Sequence, residues 1–194
     1  MNLVFILIGS AFINNYILTQ FLGMCPFFGV SKKIDTALGM GLSVLFVMVI
    51  ASAITHLFYT FVLVPLNITY LQTIAFILII ASIVQFVEVF MKKTFTTLYA
   101  MLGIYLPMIT VNCAIFGTTL IKIKNEYNFA EAIVSSVGAG VGFLLAMVLL
   151  AGIREKYDQN PDIPEIFKGF PLALFAAGLM SIAFMGFQGL VLGE

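Results

Sequence analysis

The stretch FLGMCPFFGVSKK, Phe21 to Lys33, decides how this chain is read. It closes the first very apolar segment and holds Cys25, one of only two cysteines, among the helix breakers Gly23, Pro26 and Gly29. Glycine adopts turn conformations that other residues resist, and proline lacks the N–H that a helix interior needs. The other cysteine, Cys113, lies in NCAIFG, Asn112 to Gly117. Both sites read Cys, two residues, Phe, Gly, and the offsets 113 − 25, 116 − 28 and 117 − 29 all equal 88. Two cysteines on one motif, one in each half, point to a duplication around a paired site.

Composition sets the solvent. Of 194 residues, 62% are hydrophobic and 9% charged, where a soluble domain carries about 25% charge. Such a chain cannot cover a globule with polar surface, so it reads as an all-α integral membrane protein forming one membrane domain over residues 1–194. Net charge is zero, and no nucleic-acid partner is expected. With 20 Phe and no Trp, Tyr is left as the interfacial aromatic. The N-terminal apolar run lacks a basic leader region and is expected to stay in the mature chain. Two cysteines make no disulfide framework.

A span takes about 20 apolar residues. Six segments qualify, at Leu3–Phe21, Ala37–Thr60, Leu71–Met91, Thr94–Ile121, Ala130–Ile153 and Phe170–Leu192. Basic residues in short loops orient them. Lys32, Lys33, Lys92, Lys93, Arg154, Lys156 and Lys168 fall on one side, and only Lys122 and Lys124 on the other. The first set is expected in the cytoplasm, with both termini outside. Gly39, Gly41, Met48 and Val49 match Gly138, Gly140, Met147 and Val148 at an offset of 99, against 88 at the cysteines, so the second half carries 11 extra residues between motif and next helix. Helices three and six match only through Ser82-Ile83 and Ser181-Ile182. The bland reading is chance identity among abundant Gly and Phe. The sharper one is two three-helix repeats, about 1–91 and 92–194. An odd helix count inverts the second repeat relative to the first. Inverted repeats place a site near the midplane on broken helices.

Unbroken helices one and four would hold Cys25 and Cys113 on the order of 30 Å apart. Breaks near the midplane would bring them together, and Gly103, Pro107 and Gly117 supply breakers for the second helix as Gly23, Pro26 and Gly29 do for the first. Non-helical backbone is therefore expected at Gly23–Pro26 and Asn112–Ala114, making Gly23, Pro26, Asn112 and Ala114 the backbone around the site. Irregular backbone at membrane depth must be buried in protein or line a cavity. The thiols read three ways: inert core cysteines, a disulfide, or metal ligands with opened amides aimed at sulfur. Zinc or a [2Fe–2S] centre wants four ligands. His56 has no matching partner, so the missing pair would come from a second, homologous chain. Asn14 and Asn15 read as interhelical hydrogen bonders or as braces of the broken turn. His56 reads as an interfacial or packed histidine, Gln85 as a packed amide, and the glycines of helices two and five, Gly142 included, as close-packing sites.

The stretches NNYILTQFLGMCPFFGVSKK, PLNITYLQTIAFILIIA, LGIYLPMITVNCAIFG, LAGIREK and AGLMSIAFMGFQGL cover most of the chain. They resemble the family of A-type subunits of the Rnf complex, the ion-translocating ferredoxin:NAD oxidoreductase. The sister family, the E-type subunits of the sodium-translocating NADH:quinone oxidoreductase, shares ITVNCAIFG and GIREK. Asn14-Asn15, Cys25-Pro26 and PLNITYL favour Rnf. The resemblance implies a multi-pass membrane protein of a prokaryotic cell membrane, without a nucleotide site of its own, in a redox-driven Na⁺ or H⁺ pump. It also implies a [2Fe–2S] cluster shared with the inverted, homologous E-type subunit of Rnf, with Cys25 and Cys113 as this chain's ligands. The B, C, D and G subunits of Rnf are implied as further partners. From other classes, an inverted-repeat secondary transporter or a structural scaffold would fit the same helices.

Overall fold

The computed structural model describes residues 3–13, 15–66, 69–94, 108–109, 112–159, 164 and 169–188. Those residues form helices, joined by turns and by one irregular stretch over residues 15–23. Helix α1, Leu3–Ile8, runs on as a π-helical stretch, Gly9–Ile13. After a turn region comes α2, Met24–Val30, and then α3, Ile34–Phe58, which is extended π-helically over Tyr59–Leu63. Helix α4 is Gln72–Thr94, α5 is Cys113–Lys124, α6 is Phe129–Asp158 and α7 is Phe170–Gln188.

Three of these, Ile34–Leu63, Gln72–Phe90 and Phe129–Asp158, are long and apolar enough to cross a membrane. The 30-residue helices reach about 45 Å at 1.5 Å per residue, beyond the ~30 Å hydrocarbon core. Leu3–Ile13 and Phe170–Gly186 are shorter apolar helices. The first expected span is interrupted after Ile13, while the expected fourth, Thr94–Ile121, falls largely outside the described residues, Gly103 and Pro107 included.

Helices α3 and α6 form the centre. In α6, 56% of the most apolar window is buried, against 17% in α4. Helix α4 buries one stripe, Phe76, Ile80 and Val84, and leaves Ile74, Ile77, Leu78, Phe86 and Phe90 exposed. Spacing of four keeps the stripe on one face, and an outer face this apolar belongs in lipid.

Small residues let the central helices touch. A Cβ on Gly41 would lie 3.2 Å from Leu144 Cα, and one on Gly140 would lie 3.1 Å from Leu45 Cα. The two contacts are reciprocal, since 140 − 41 and 144 − 45 are both 99. On another face of α6, Gly138 and Gly142 admit the first helix: added Cβ atoms would sit 2.7 Å from Leu7 O and 2.6 Å from Ala11 O. Backbone cannot yield as a side-chain tip can. Gly142→Ala is expected to cost about 1–3 kcal/mol by overpacking, whereas Gly152→Ala, where a Cβ meets nothing within 4 Å, is expected to be silent. Denaturant unfolding of the detergent-extracted protein checks this, and equal losses at the two positions would contradict it.

Candidate functional site

The break in the first helix is built by local hydrogen bonds. Asn15 is buried, and its Oδ1 accepts from Ile17 N–H at 3.1 Å while its Nδ2 donates to Gly142 O at 2.9 Å. One side chain thus braces the turn and ties it to α6, fulfilling both roles expected of it. Its neighbour Asn14 lies outside the described residues. Thr19 N–H donates to Asn15 O and Leu22 N–H to Tyr16 O, both at 2.9 Å. From α7, the Ser181 hydroxyl donates to Leu18 O. The turn closes through Phe21 at φ 57° and Gly23 at φ 88°. A bulky residue in the left-handed region is strained, and such strain gathers at functional sites.

Helix α2 starts directly after Gly23, so Cys25 and Pro26 occupy its first turn. Asn112 is the N-cap of α5, and its Oδ1 accepts from Ala114 N–H at 3.0 Å. This corrects the expected position of the breaks. Irregular backbone precedes the cysteines, over residues 15–23 and at Asn112, and Cys25, Pro26, Cys113 and Ala114 are helical. The physical reason is that proline is well tolerated in a first helical turn, where its missing N–H has no intrahelical partner to lose. Asn112 in turn ends the irregular segment by capping.

The two motifs meet. Gly23 N–H donates to Cys113 Sγ at 2.9 Å, across 90 residues of sequence. A Cβ on Gly23 would lie 3.1 Å from Ala114 Cβ and 2.9 Å from Phe143 Cε2. Each motif's glycine also faces the other motif's approach: Gly117 packs under Leu22, and Gly29 under Met108. Cys25 and Cys113 are free thiols, with no disulfide between them. Cys113 is half-buried, but Cys25 is exposed on this chain. A protein-buried centre completed by a second, homologous chain is the expectation, and on this chain by itself Cys25 lies exposed. Asn112 is 3% exposed, and among the described residues its Nδ2 has no hydrogen-bond partner. Among the described residues no three of His, Cys, Asp and Glu gather as they would around a metal ion.

The donor set nevertheless suits a thiolate-bound group. Two soft sulfurs, a backbone N–H already on one of them, and a spare amide donor beside it are the contacts that offset negative charge on such a centre.

A family model described as "Rnf-Nqr subunit, membrane protein" matches residues 3–191. The chain belongs to the Rnf-Nqr family. The Rnf-Nqr relatives that it resembles align end to end. It is 56% identical over 193 residues, covering 100% of both chains, to the A subunit of the Na⁺-translocating ferredoxin:NAD⁺ oxidoreductase complex of Acetobacterium woodii. It is 52% identical over 192 residues, 99% of both chains, to the A subunit of the ion-translocating oxidoreductase complex of Syntrophotalea carbinolica. It is also 52% identical over 188 residues, 97% of both chains, to the protein of that name in Pseudoalteromonas translucida. Membership agrees with several long apolar helices in a multi-pass membrane protein.

Two polar residues of this Rnf-Nqr chain lie elsewhere than sequence reasoning puts them. Arg154, counted as a loop cation, is 9% exposed and donates through Nη1 to Phe28 O at 2.8 Å and Ser31 Oγ at 3.0 Å. It thereby caps the carbonyl end of the helix that carries Cys25. Lys122, also assigned to a loop, is 2% exposed. His56 is packed as expected, its ring 5.7 Å from that of Phe129 and its Nε2 3.0 Å from Tyr127 O. Gln85, expected to be packed, is exposed.

Proposed function

We propose that this chain is an electron-transfer component of an ion-translocating ferredoxin:NAD oxidoreductase complex, without a nucleotide site of its own. Cys25 and Cys113 would hold half of a [2Fe–2S] cluster. One observation carries the reading: the interlocked motifs set Gly23 N–H on Cys113 Sγ while Cys25 stays open at the surface of the chain. A half-built thiolate site on an exposed face calls for a second protein that brings the other two thiolates. The homologous, inverted E-type subunit of such a complex has the required form, and the B, C, D and G subunits complete the assembly. Full-length similarity to proteins named as the A subunits of such complexes supports the placement.

When bound, the cluster supplies one-electron transfer. The chain's own residues hold and shield it. Pro26 and Ala114 are buried and set the first turns of α2 and α5. Gly23 leaves room for its N–H to reach sulfur, and Asn112 keeps Nδ2 for an acceptor that the cluster or the partner brings. In the assembled complex, iron-edge anomalous scattering is expected to place iron against both sulfurs. A map without iron there returns the chain to a scaffold role.

The same proposal includes six spans in two inverted repeats, about 1–91 and 92–194, within a single domain. Support comes from the reciprocal Gly41–Leu144 and Gly140–Leu45 contacts. It comes also from the likeness of α2-turn-α3 to α5-turn-α6. Helix α2 ends five residues past Cys25 (30 − 25) and α5 eleven past Cys113 (124 − 113), which takes up much of the extra length in the second half. Both termini would lie outside the cell membrane, with Lys33, Lys93 and Lys156 in the cytoplasm. A cysteine placed at position 93 is expected to resist an impermeant thiol reagent in intact cells and to react in inverted vesicles. Labelling from outside would reverse the orientation.

A further inference from the structure

Lys122 lies at the far end of α5 from Cys113, in the stretch by which α5 outruns α2. Its neighbours Lys124, Asn125 and Glu126 are exposed, but its own side chain turns back between α3 and α6. Nζ donates to Ser136 Oγ and, at 3.3 Å, to Ser52 Oγ. Both hydroxyl protons are engaged elsewhere: Ser136 Oγ donates to Ala132 O at 2.7 Å and Ser52 Oγ to the same oxygen at 3.5 Å. The two serine oxygens therefore face the amine as acceptors and use two of its N–H groups. A neutral amine has two, with a lone pair remaining; an ammonium has three and no lone pair.

Among the described residues nothing around the amine invites the third proton. His56 of α3 lines the same small space, but its Nε2 lies on Tyr127 O. Thr55 and Thr119 donate to Ala51 O and Phe116 O on their own helices. On α6, Glu131 accepts from Asn128 N–H at 3.1 Å. On α5, Lys124 is exposed, as is Glu126 in the turn beyond. The charged residues of α4, Glu88, Lys92 and Lys93, all belong to its other end. Among the described residues no carboxylate pairs with Lys122. A buried ammonium without a counter-charge is disfavoured, and the ordinary resolution is loss of the proton.

We propose that Lys122 is a proton-binding site: a neutral amine at rest that takes up a proton when negative charge arrives at the Cys113 end of its helix. The proton comes from water at the exposed Lys124–Glu126 turn. Hydronium gives its proton to the Nζ lone pair, leaving water and an ammonium. The electron is supplied by a one-electron reductant at the cysteine pair, and this half of the proposal rests on the cluster reading. Nine residues of helix separate Cys113 from Lys122, about 13.5 Å at the helical rise. At an effective dielectric near 20, one added charge at that distance raises proton affinity about tenfold.

The test uses the assembled complex in wild-type, Lys122→Met and Lys122→Arg forms, with Lys122→Gln replacing Lys122→Met if that variant does not assemble. The first measurement is a redox titration with dithionite at pH 6 to 9, read on the paramagnetic signal that disappears in Cys113→Ser. In wild type the midpoint potential should fall with rising pH by about 59 mV in all, the one-electron equivalent of tenfold, and in Lys122→Met it should be flat. Equal pH dependence in both forms, or none in wild type, would overturn the redox link. Absence of the signal from wild type would instead sink the cluster reading, leaving the second measurement to judge the amine. That measurement is thermal unfolding against pH. A neutral buried lysine binds fewer protons folded than unfolded, so wild type should gain stability over Lys122→Met as pH rises toward the ordinary lysine range. The permanently charged Lys122→Arg should be less stable throughout. Parallel wild-type and Lys122→Met profiles would show a fixed charge and refute the proton site.

Discussion

Cys113→Ser and Cys25→Ser are each expected to remove the [2Fe–2S] paramagnetic signal from the reduced complex and to stop ferredoxin-to-NAD electron flow with its coupled ion uptake. The reason is ligand chemistry. A serine hydroxyl is a hard, poor iron ligand where a thiolate is soft, and the proposed four-thiolate centre, with two ligands from this chain, could not spare one. The fold should survive either change. Cys25 is exposed and Cys113 half-buried, so exchange of sulfur for oxygen disturbs little packing. The same sample therefore gives an internal control: the membrane-inserted chain persists while the signal vanishes. If Cys113→Ser kept both the signal and wild-type turnover, the ligand assignment would be wrong and the scaffold role would replace it.

The second large effect is expected at Gly23. Its φ of 88° lies in the left-handed region, which costs an L residue roughly 1–2 kcal/mol. Its absent Cβ leaves room that Phe143 and Ala114 already crowd, at 2.9 and 3.1 Å from where that atom would be. Gly23→Val adds overpacking of about 1–3 kcal/mol to that strain. Relief requires Gly23 to move, and movement withdraws its N–H from Cys113 Sγ. Cluster occupancy should therefore fall sharply in Gly23→Val. It should stay at the wild-type level in Gly178→Val, where a Cβ meets nothing within 4 Å. Spin counting against protein concentration measures both. Full occupancy in Gly23→Val would mean that the Gly23 N–H contributes nothing to holding the group.

Much of the site is legible without coordinates. Gly23 and Asn112 stand out in the sequence as backbone around the cysteines, and they are the residues that start α2 and α5. Their roles are local: a left-handed turn and an N-cap are dictated within a few residues, and sequence carries such signals directly. The breaks end at Gly23 and Asn112, three and two residues before the expected ends at Pro26 and Ala114 (26 − 23 and 114 − 112), and the first begins earlier, at Asn15. Pro26 reads as part of the irregular backbone, but in a first helical turn it is compatible with the helix.

Arg154 and Lys122 escape sequence reasoning for a different reason. Each sits beside polar, exposed neighbours in a stretch that reads as a loop. Arg154 reaches carbonyl and hydroxyl oxygens at Phe28 and Ser31, and Lys122 reaches Ser52 and Ser136. Phe28, Ser31 and Ser52 lie 70 or more residues from their partners, and Ser136, 14 residues past Lys122, lies across a turn on the next helix, so helical periodicity encodes none of these pairings. The one available signal is weak: Ser52 and Ser136 sit in otherwise apolar segments, and a buried hydroxyl implies a polar neighbour.

The sequence by itself determined the solvent and the punctuation of this protein. A composition of 62% hydrophobic and 9% charged residues leaves no alternative to lipid, and Gly, Pro and Asn mark where helices stop and start. Solvation and backbone preference are sums over single residues, so they survive without a fold. Tertiary structure alone decided that Gly23 N–H meets Cys113 sulfur, that Cys25 opens outward, and that Lys122 is enclosed rather than hydrated. Those are properties of pairs of distant atoms. They depend on how closely α1, α3 and α6 approach, which Gly41, Gly138, Gly140 and Gly142 permit but do not by themselves specify.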